Sequence, residues 1–384
     1  MSDLQKTTEI LRDLIGFPTV SVDSNLAMID HLATLLADAG ARINIQHDPT
    51  GKKANLFATL GPEGDGGIIL SGHTDVVPVA DQDWSSDPFV MDERDGAVFG
   101  RGTCDMKGFI AACVAMAPTF AAAVTTRPLH FAFTYDEETG CIGGGALVEN
   151  LREKGLRPAL AIIGEPTEMR VIEGHKGCFE YTTHFTGLEG HGSSPDLGVN
   201  AVEYAARYVA RLLDLKDRLR ARAPADSRFD PAWTTINTGG LHGGVAHNVI
   251  PGKAHVDWEM RPVQPGDAEL VKRDLHEYCA NHLLPAMQAI DPSATIRTET
   301  WGEVVGLEPM IANAARDLVM ELTGANGADT VPFGTEAGLF QTLGMDVVVC
   351  GPGSIAQAHK PDEFIALDQL DQCVTMLHRL TARL

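Results

Sequence analysis

The sequence predicts a mixed α/β fold in which a mostly parallel sheet carries helices on both faces and a smaller α+β domain is inserted. Two observations predict it. Short apolar stretches that suit buried strands alternate with segments of helical periodicity, both before Gly177 and again from Leu307. Between these points the order changes to strand, helix, two strands, helix and strand, which is the ferredoxin-like arrangement.

The elements of the α/β part follow from periodicity in chain order. Two amphipathic helices come first, and Gly40 is typical of the residue that follows a helix C-terminus. We predict helices at Leu4–Phe17, Ser24–Ala39, Gly108–Ala122, Gly144–Glu153 and Ala312–Leu322 and from Leu367, and strands at Ile43–Gln46, Asn55–Leu60, Gly67–Leu70, Pro128–Thr134, Ala159–Ile163 and Asp346–Cys350.

The inserted part is predicted to fold on its own, because a split βαβ unit can close a core of its own. This divides the chain into one domain at residues 1–176 and 301–384 and a second at residues 177–300. The predicted elements of the insertion are strands Cys178–Thr186, Thr234–Thr238, Ala254–Met260 and Ala294–Glu299 and helices Val199–Leu219 and Asp267–Leu284.

Composition excludes several classes of partner. Lys and Arg number 30 against 52 Asp and Glu, a net charge of −22, which argues against nucleic acid and anionic membranes. The seven cysteines include no C-x-x-C pair, which favours reduced thiols in the cytoplasm. We find no signal peptide and no apolar run of about 18 residues, so we expect no membrane span.

A Gly-His-x-Asp motif ends the third predicted strand. Because alternate strand residues share a face, His73 and Asp75 are expected to face the same space. A metal-bound imidazole usually donates its other N–H to a carboxylate, which this spacing supplies. A capped strand end before a proline turn is an equally good interpretation of this motif alone.

Further acids and a histidine follow other predicted strands. Asp105, the pair Glu137 and Glu138, and Glu165 are assigned to three more strand ends, and His359 follows a fifth. A single acid there is commonly a helix cap, but several unpaired acids in one crevice would repel one another. Imidazoles and carboxylates without cysteine suit a pair of divalent ions such as zinc, cobalt or manganese.

These stretches also resemble a known family. The runs 71–78, 100–108, 136–140, 164–167 and 358–360 are similar to those of the dinuclear zinc amidohydrolases of the M20 peptidase family. The resemblance extends over the whole chain, including the insertion.

The resemblance implies a ligand set for two divalent ions, most simply Zn²⁺, with Co²⁺ able to substitute. His73 and Glu165 would hold one ion, and Glu138 and His359 the other. Asp105 would bridge the two ions.

The resemblance implies further roles close to the ions. Asp75 would orient His73, Glu137 would be the general base, and the peptide bond after Asp105 would be cis. Chemistry supports a division of labour between the adjacent acids. A regular strand cannot point both Glu137 and Glu138 inward, but the Thr139–Gly140 turn provides a loop that can.

For the insertion, the resemblance implies a lid and homodimerisation domain. His191 would reach the partner's active site and steady the oxyanion, and Asn248 and Arg261 would contact the substrate carboxylate. A solvated histidine and a surface ion pair of Arg261 are the alternatives.

The implied reaction is amide hydrolysis in a small N-acyl amino acid, and we expect N²-acetyl-L-ornithine, a substrate of arginine biosynthesis. Gly334, Thr335 and Glu336 form a turn that is expected to bind substrate. The Glu336 carboxylate would attract the terminal ammonium group of ornithine and repel the carboxylate of a succinyl group. The alternative is that Glu336 is an acid at a helix N-terminus, which the helix dipole favours. The alternatives within the family are N-succinyl-diaminopimelate, a wider set of N-acyl amino acids, and peptides.

Two alternative hypotheses do not involve metal-dependent hydrolysis. A cysteine hydrolase would use Cys104 with a histidine, but this leaves the acid cluster unexplained. A non-catalytic binding protein would be expected to have lost ligands, whereas every expected ligand is present.

Overall fold

The computed structural model describes residues 1–264 and 266–384 and divides into two compact units. The first unit comprises Met1–His175, Leu307–Val331 and Thr335–Leu384. The second comprises Lys176–Gly306 and Pro332–Gly334. The predicted fold class, a mixed α/β protein with a mostly parallel sheet, is confirmed.

Most predicted elements appear within a few residues of their expected bounds. The helices are α1 (Asp3–Ile15), α2 (Leu26–Asp38), α3 (Gly108–Ala123), α4 (Ile142–Glu153), α5 (Ala201–Ala221), α6 (Asp267–Tyr278), α7 (Leu284–Gln288), α8 (Ala314–Thr323), α9 (Ala337–Gln341) and α10 (Leu367–Leu380). The strands are β1 (Arg42–His47), β2 (Ala54–Leu60), β3 (Ile68–His73), β4 (Asp92–Arg94), β5 (Ala97–Phe99), β6 (Leu129–Thr134), β7 (Leu160–Pro166), β8 (Ile172–His175), β9 (Cys178–Thr186), β10 (Gly190–His191), β11 (Thr235–Gly243), β12 (Val249–Ile250), β13 (Lys253–Arg261), β14 (Thr295–Val304), β15 (Asp329–Val331), β16 (Asp346–Gly351) and β17 (Phe364–Ala366).

The first unit is built on an eight-stranded sheet in the order β1-β2-β6-β3-β7-β16-β8-β15. Strands β6, β3, β7 and β16 run parallel, and β1 and β2 add an antiparallel edge. The ends of β3, β6 and β7 therefore meet at one edge of the sheet, which is where parallel sheets form ligand crevices.

Strands β3, β6 and β7 are buried along their whole length, which is typical of a parallel sheet covered on both faces. Leu70 of β3 lies in the core that includes Phe109 and Ile110 of α3. The next residue, Ser71, points to the other face and contacts Glu336 at the start of α9. The segment Thr103–Ala123 contains an 18-residue window that is apolar enough to span a membrane by composition, but 72% of that window is buried within the fold.

The second unit has a four-stranded antiparallel sheet in the order β11-β13-β9-β14. Helices α5 and α6 contribute Tyr208 and Leu275 to its core, together with Phe185 of β9 and Val256 of β13. Along β13 buried residues alternate with partly exposed ones, so the other face of the sheet is not covered within this unit.

Candidate active site

His73 ends β3, and its imidazole is buried. Its Nδ1–H donates a 2.9 Å hydrogen bond to the backbone carbonyl of Asp75. In the neutral ring this leaves Nε2 unprotonated, and Nε2 lies 3.0 Å from Asp105 Oδ1 and 3.9 Å from Glu165 Oε1. An imidazole lone pair and two carboxylates thus face one small space, as metal ligands do.

The Asp75 carboxylate faces His73, with its nearer oxygen 3.6 Å from Nδ1, while the Asp75 carbonyl accepts the shorter contact. The carboxylate also accepts hydrogen bonds from the Ser21 hydroxyl at 2.7 Å and from the backbone N–H groups of Glu137 at 3.0 Å and Glu138 at 3.3 Å. Asp75 therefore contacts both His73 and the Glu137–Glu138 loop.

Asp105 does not lie at a strand end, and that expectation was wrong. It lies in a tight turn, Thr103–Lys107, between β5 and α3, with non-helical dihedral angles of φ −123° and ψ 90°. The peptide bond to Met106 is cis, as the resemblance implied. In this position Oδ1 faces His73 Nε2 at 3.0 Å, and Oδ2 faces His359 Nε2 at 3.2 Å. One carboxylate thus faces both imidazoles.

Glu363 holds this turn in place, and we did not identify it from the sequence. Its Oε1 accepts hydrogen bonds from the backbone N–H groups of Cys104 at 2.9 Å and Asp105 at 3.1 Å. Its Oε2 accepts from Gly102 N at 2.9 Å and from the Arg101 guanidinium at 2.8 Å. Its place four residues after His359 was the only signal, and its partners lie far away in the sequence.

Glu137 and Glu138 lie in a loop after β6, as their adjacency required. The backbone turns back through Asp136 at φ 53° and Gly140 at φ 108°. Glu138 Oε2 lies 3.1 Å from His359 Nε2. Glu137 Oε1 lies instead 3.4 Å from Cys141 Sγ. The two side chains therefore have different neighbours, although Glu137 also lies within ligand distance of His73 and Glu165.

The acids of this cluster are held at an electrostatic cost. Burial raises the pKa of Glu165 well above its usual value, and the charges of Asp105 and Glu137 act in the same direction. Burial also raises the pKa of Glu137 to about 8, although His73 works against this. Removing carboxylates from water without a nearby cation disfavours their charged forms.

Divalent ions fit the residues present. Among the described residues, Glu165 Oε1 is a buried side-chain oxygen without a hydrogen-bond partner, and it faces His73 Nε2. The donors within reach are imidazole nitrogens and carboxylate oxygens, with the Asp105 oxygens turned to different imidazoles. This donor set suits zinc and similar first-row ions.

Glu336 is a correction to the sequence interpretation. Its side chain is 1% exposed, and its oxygens accept hydrogen bonds from Ser71 Oγ at 2.6 Å and Thr134 Oγ1 at 2.9 Å. Because α9 begins against the sheet, the carboxylate turns inward between β3 and β6 and cannot meet a substrate ammonium group. Thr335 is also buried, and its hydroxyl lies 2.9 Å from His175 Nε2.

The other expected substrate contacts belong to the second unit. His191 and Asn248 are exposed, Gly334 is half-buried, and Arg261 forms the competing ion pair, with a guanidinium nitrogen 2.9 Å from Glu259. His191 Nδ1 lies 2.7 Å from Ser193 Oγ and 3.2 Å from the Ser193 backbone nitrogen.

Comparison with known proteins places the site in context. Residues 69–383 match the model of peptidase family M20/M25/M40. An acetylornithine deacetylase of Photorhabdus laumondii is 37% identical over 364 residues, which cover 93% of this chain and 91% of that relative.

Two solved structures share the fold. An M20 family metallo-carboxypeptidase from Sulfolobus solfataricus superposes with a TM-score of 0.77 at 15% identity, covering 98% of both chains. A dinuclear metal-binding M20 peptidase from Bacillus subtilis superposes with a TM-score of 0.66 at 15% identity, covering 99% of this chain and 98% of that one.

Proposed function

We propose that this chain, which belongs to peptidase family M20/M25/M40, hydrolyses N²-acetyl-L-ornithine to L-ornithine and acetate. The family is metal-dependent and hydrolytic. The substrate rests on one observation, the 37% identity to an acetylornithine deacetylase over 93% of the chain. With Glu336 enclosed, no charge in the first unit is assigned to the ornithine ammonium group.

The proposed ligands are His73 and Glu165 for one divalent ion, Glu138 and His359 for the other, and Asp105 between them. Zinc is the ion that we propose, and cobalt the substitute. Two such ions would polarise the amide carbonyl and lower the pKa of water. Support comes from the unpartnered Glu165 Oε1 and from the two Asp105 oxygens, which face different imidazoles.

Glu137 is the proposed general base. Its carboxylate is partly buried beside the ligand cluster, and its loop is fixed by the hydrogen bond from its own N–H to Asp75. It would accept a proton from the attacking water and deliver it to the leaving amine nitrogen. Asp75 contributes by orienting His73 and Glu137 together.

We also propose a homodimer formed through the inserted domain, with His191 donating from Nε2 to the oxyanion in the partner's site. Asn248 and Arg261 would contact the substrate carboxylate, for which the planar guanidinium is suited. Support comes from the family resemblance and from the exposure of His191, whose Nδ1 is engaged by Ser193. A cytoplasmic location remains a prediction from the cysteines.

A substrate panel tests the proposed activity. Metal-loaded enzyme is assayed for kcat/KM with N²-acetyl-L-ornithine, N-succinyl-L,L-diaminopimelate and N-acetyl-L-methionine. We expect a clear preference for acetylornithine. A preference for the succinylated compound would replace the proposed substrate but leave the metal-dependent hydrolysis intact.

Subunit mixing tests the dimer. His191→Ala chains and Glu137→Gln chains, each inactive alone, are mixed, and activity is measured once subunit exchange has been confirmed. We expect partial recovery, because one site of each mixed dimer would then have both residues. No recovery would contradict the action of His191 in the partner's site.

A further inference from the structure

The uncovered sheet face of the second unit carries a row of histidines. His242 of β11 pairs with His255 of β13, which pairs with His184 of β9. The rings of His242 and His255 stack with centroids 4.8 Å apart, whereas His184 is 3.2 Å from Glu299 Oε2. Two of the three imidazoles thus lie side by side, and the third has a carboxylate partner of its own.

Asp257 completes a cluster with the stacked pair. Its Oδ2 lies 3.6 Å from His242 Nε2 and 3.7 Å from His255 Nε2, which is too far for hydrogen bonds. Gly240 lies opposite Asp257 in the ladder, and a Cβ atom there would be 2.5 Å from His242 Nε2. The absence of a side chain at Gly240 therefore lets His242 lean towards Asp257.

The Asp257 carboxylate is held from its other side. Its Oδ1 accepts a 2.6 Å hydrogen bond from Thr182 Oγ1. Thr182 Oγ1 in turn accepts a 2.9 Å hydrogen bond from Trp301 Nε1. A carboxylate whose outer oxygen is fixed in this way presents its inner oxygen in one direction, and such outer partners are characteristic of metal ligands.

We propose that His242, His255 and Asp257 bind a zinc-like divalent cation at a site separate from the proposed active centre. The three donor atoms lie within 4.8 Å of one another and are of the types that zinc prefers. The side chains are 60%, 42% and 43% exposed, so an ion can enter from solvent and keep a water ligand. This proposal does not depend on the proposed substrate.

The test is zinc binding to the metal-loaded enzyme, measured by equilibrium dialysis with elemental analysis. We expect one zinc ion per chain beyond those of the active centre. His242→Ala/His255→Ala should lose this ion, because two of its three ligands are removed. Thr182→Val removes only the hydroxyl that holds Asp257, and its zinc affinity should fall by roughly 10–100-fold. The zinc affinity of the double variant should fall by more than this.

The matched control is His276→Ala, which removes an exposed histidine of α6 in the same unit and should leave the additional ion in place. Copper titration gives a second readout, because Cu²⁺ bound at Asp257 should quench Trp301 fluorescence, and the double variant should not show this quenching. Amide hydrolysis should be unchanged in the double variant.

No additional zinc in the intact enzyme would overturn the proposal. Additional zinc that the double variant retains at equal affinity would also overturn it. Circular dichroism of each variant establishes that a loss of binding is not a loss of fold.

Discussion

The two histidine–carboxylate clusters of this molecule differ in how they are built. The proposed active centre draws its ligands from loops and strand ends between His73 and His359, and its carboxylates are nearly excluded from water. The cluster of the second unit comes from two adjacent strands, and its members are about half exposed. Burial disfavours the charged carboxylates of the first cluster unless a cation lies beside them, whereas solvent screens the charges of the second.

Metal removal should separate the two clusters most sharply. Dialysis against a chelator is expected to abolish amide hydrolysis and to lower the unfolding temperature, because Asp105, Glu138 and Glu165 would lose their counter-charge. Zinc or cobalt should restore both. The readouts are turnover and thermal unfolding.

His242→Ala/His255→Ala is the control for metal removal. With the active centre loaded and no excess zinc, its unfolding temperature should be close to that of the unaltered chain. Full activity in the metal-free protein would contradict the assignment of the buried cluster.

The adjacent glutamates should respond differently to the same substitution. Glu137→Gln is expected to keep both metal ions and to lose about 10²–10⁴-fold in kcat, because a general base is removed. Glu138→Gln should instead lower metal content, since its carboxylate faces His359. Elemental analysis and kcat, measured side by side, decide this. The reverse pattern would exchange the two roles.

Glu363→Gln should weaken metal binding without touching a ligand. Its carboxylate accepts N–H groups on both oxygens, and the amide nitrogen of Gln cannot accept them. We expect roughly 10–100-fold weaker metal affinity, with much of kcat recovered at high zinc.

Asp371→Asn, on the exposed side of α10, is the matched control for Glu363→Gln and should change neither quantity. An unchanged zinc affinity in Glu363→Gln would remove Glu363 as a positioning residue.

His130 shows what burial does to an imidazole without an acid beside it. Burial lowers its pKa to about 4, with Arg42 acting in the same direction. Because the unfolded chain binds a proton near the usual value of about 6.5, the contribution of His130 to stability is complete above that pH and falls as the pH drops towards 4.

In the unaltered chain, protonation of His130 should lower the free energy of unfolding by about 2 kcal/mol between neutral pH and pH 5. We expect His130→Asn to remove this loss. Denaturant unfolding at both pH values provides the measurement. His47→Asn, which replaces an exposed histidine of β1, is the matched control for the substitution itself. An unaltered slope in His130→Asn would show that another group dominates.

Periodicity predicted the long elements well, because apolar faces repeat along them. The strand that leads to His73 and the helix that follows Asp105 were found in this way. Strands of three or four residues, such as β5 and β8, carry too few repeats to be recognised. The loop that carries Glu137 and Glu138 could be predicted, because two neighbouring inward side chains exclude a regular strand.

Features that depend on pairing between distant residues could not be predicted. Glu363 becomes meaningful only beside the N–H groups of residues 102–105. The second cluster escaped notice because β11 was expected to stop at Thr238, before two glycines. A bulge between Thr238 and Gly240 instead carries the strand on to Gly243 and brings His242 opposite His255.

The contact between Glu363 and Asp105 has a consequence during synthesis of the chain. Glu363 is added 258 residues after Asp105. At a synthesis rate of about 5–20 residues per second, Glu363 is added roughly 10–50 s after the turn that carries Asp105. The second unit, whose main segment ends at Gly306, can close its core within that interval. The proposed metal centre is therefore among the last features of a newly made molecule to be completed.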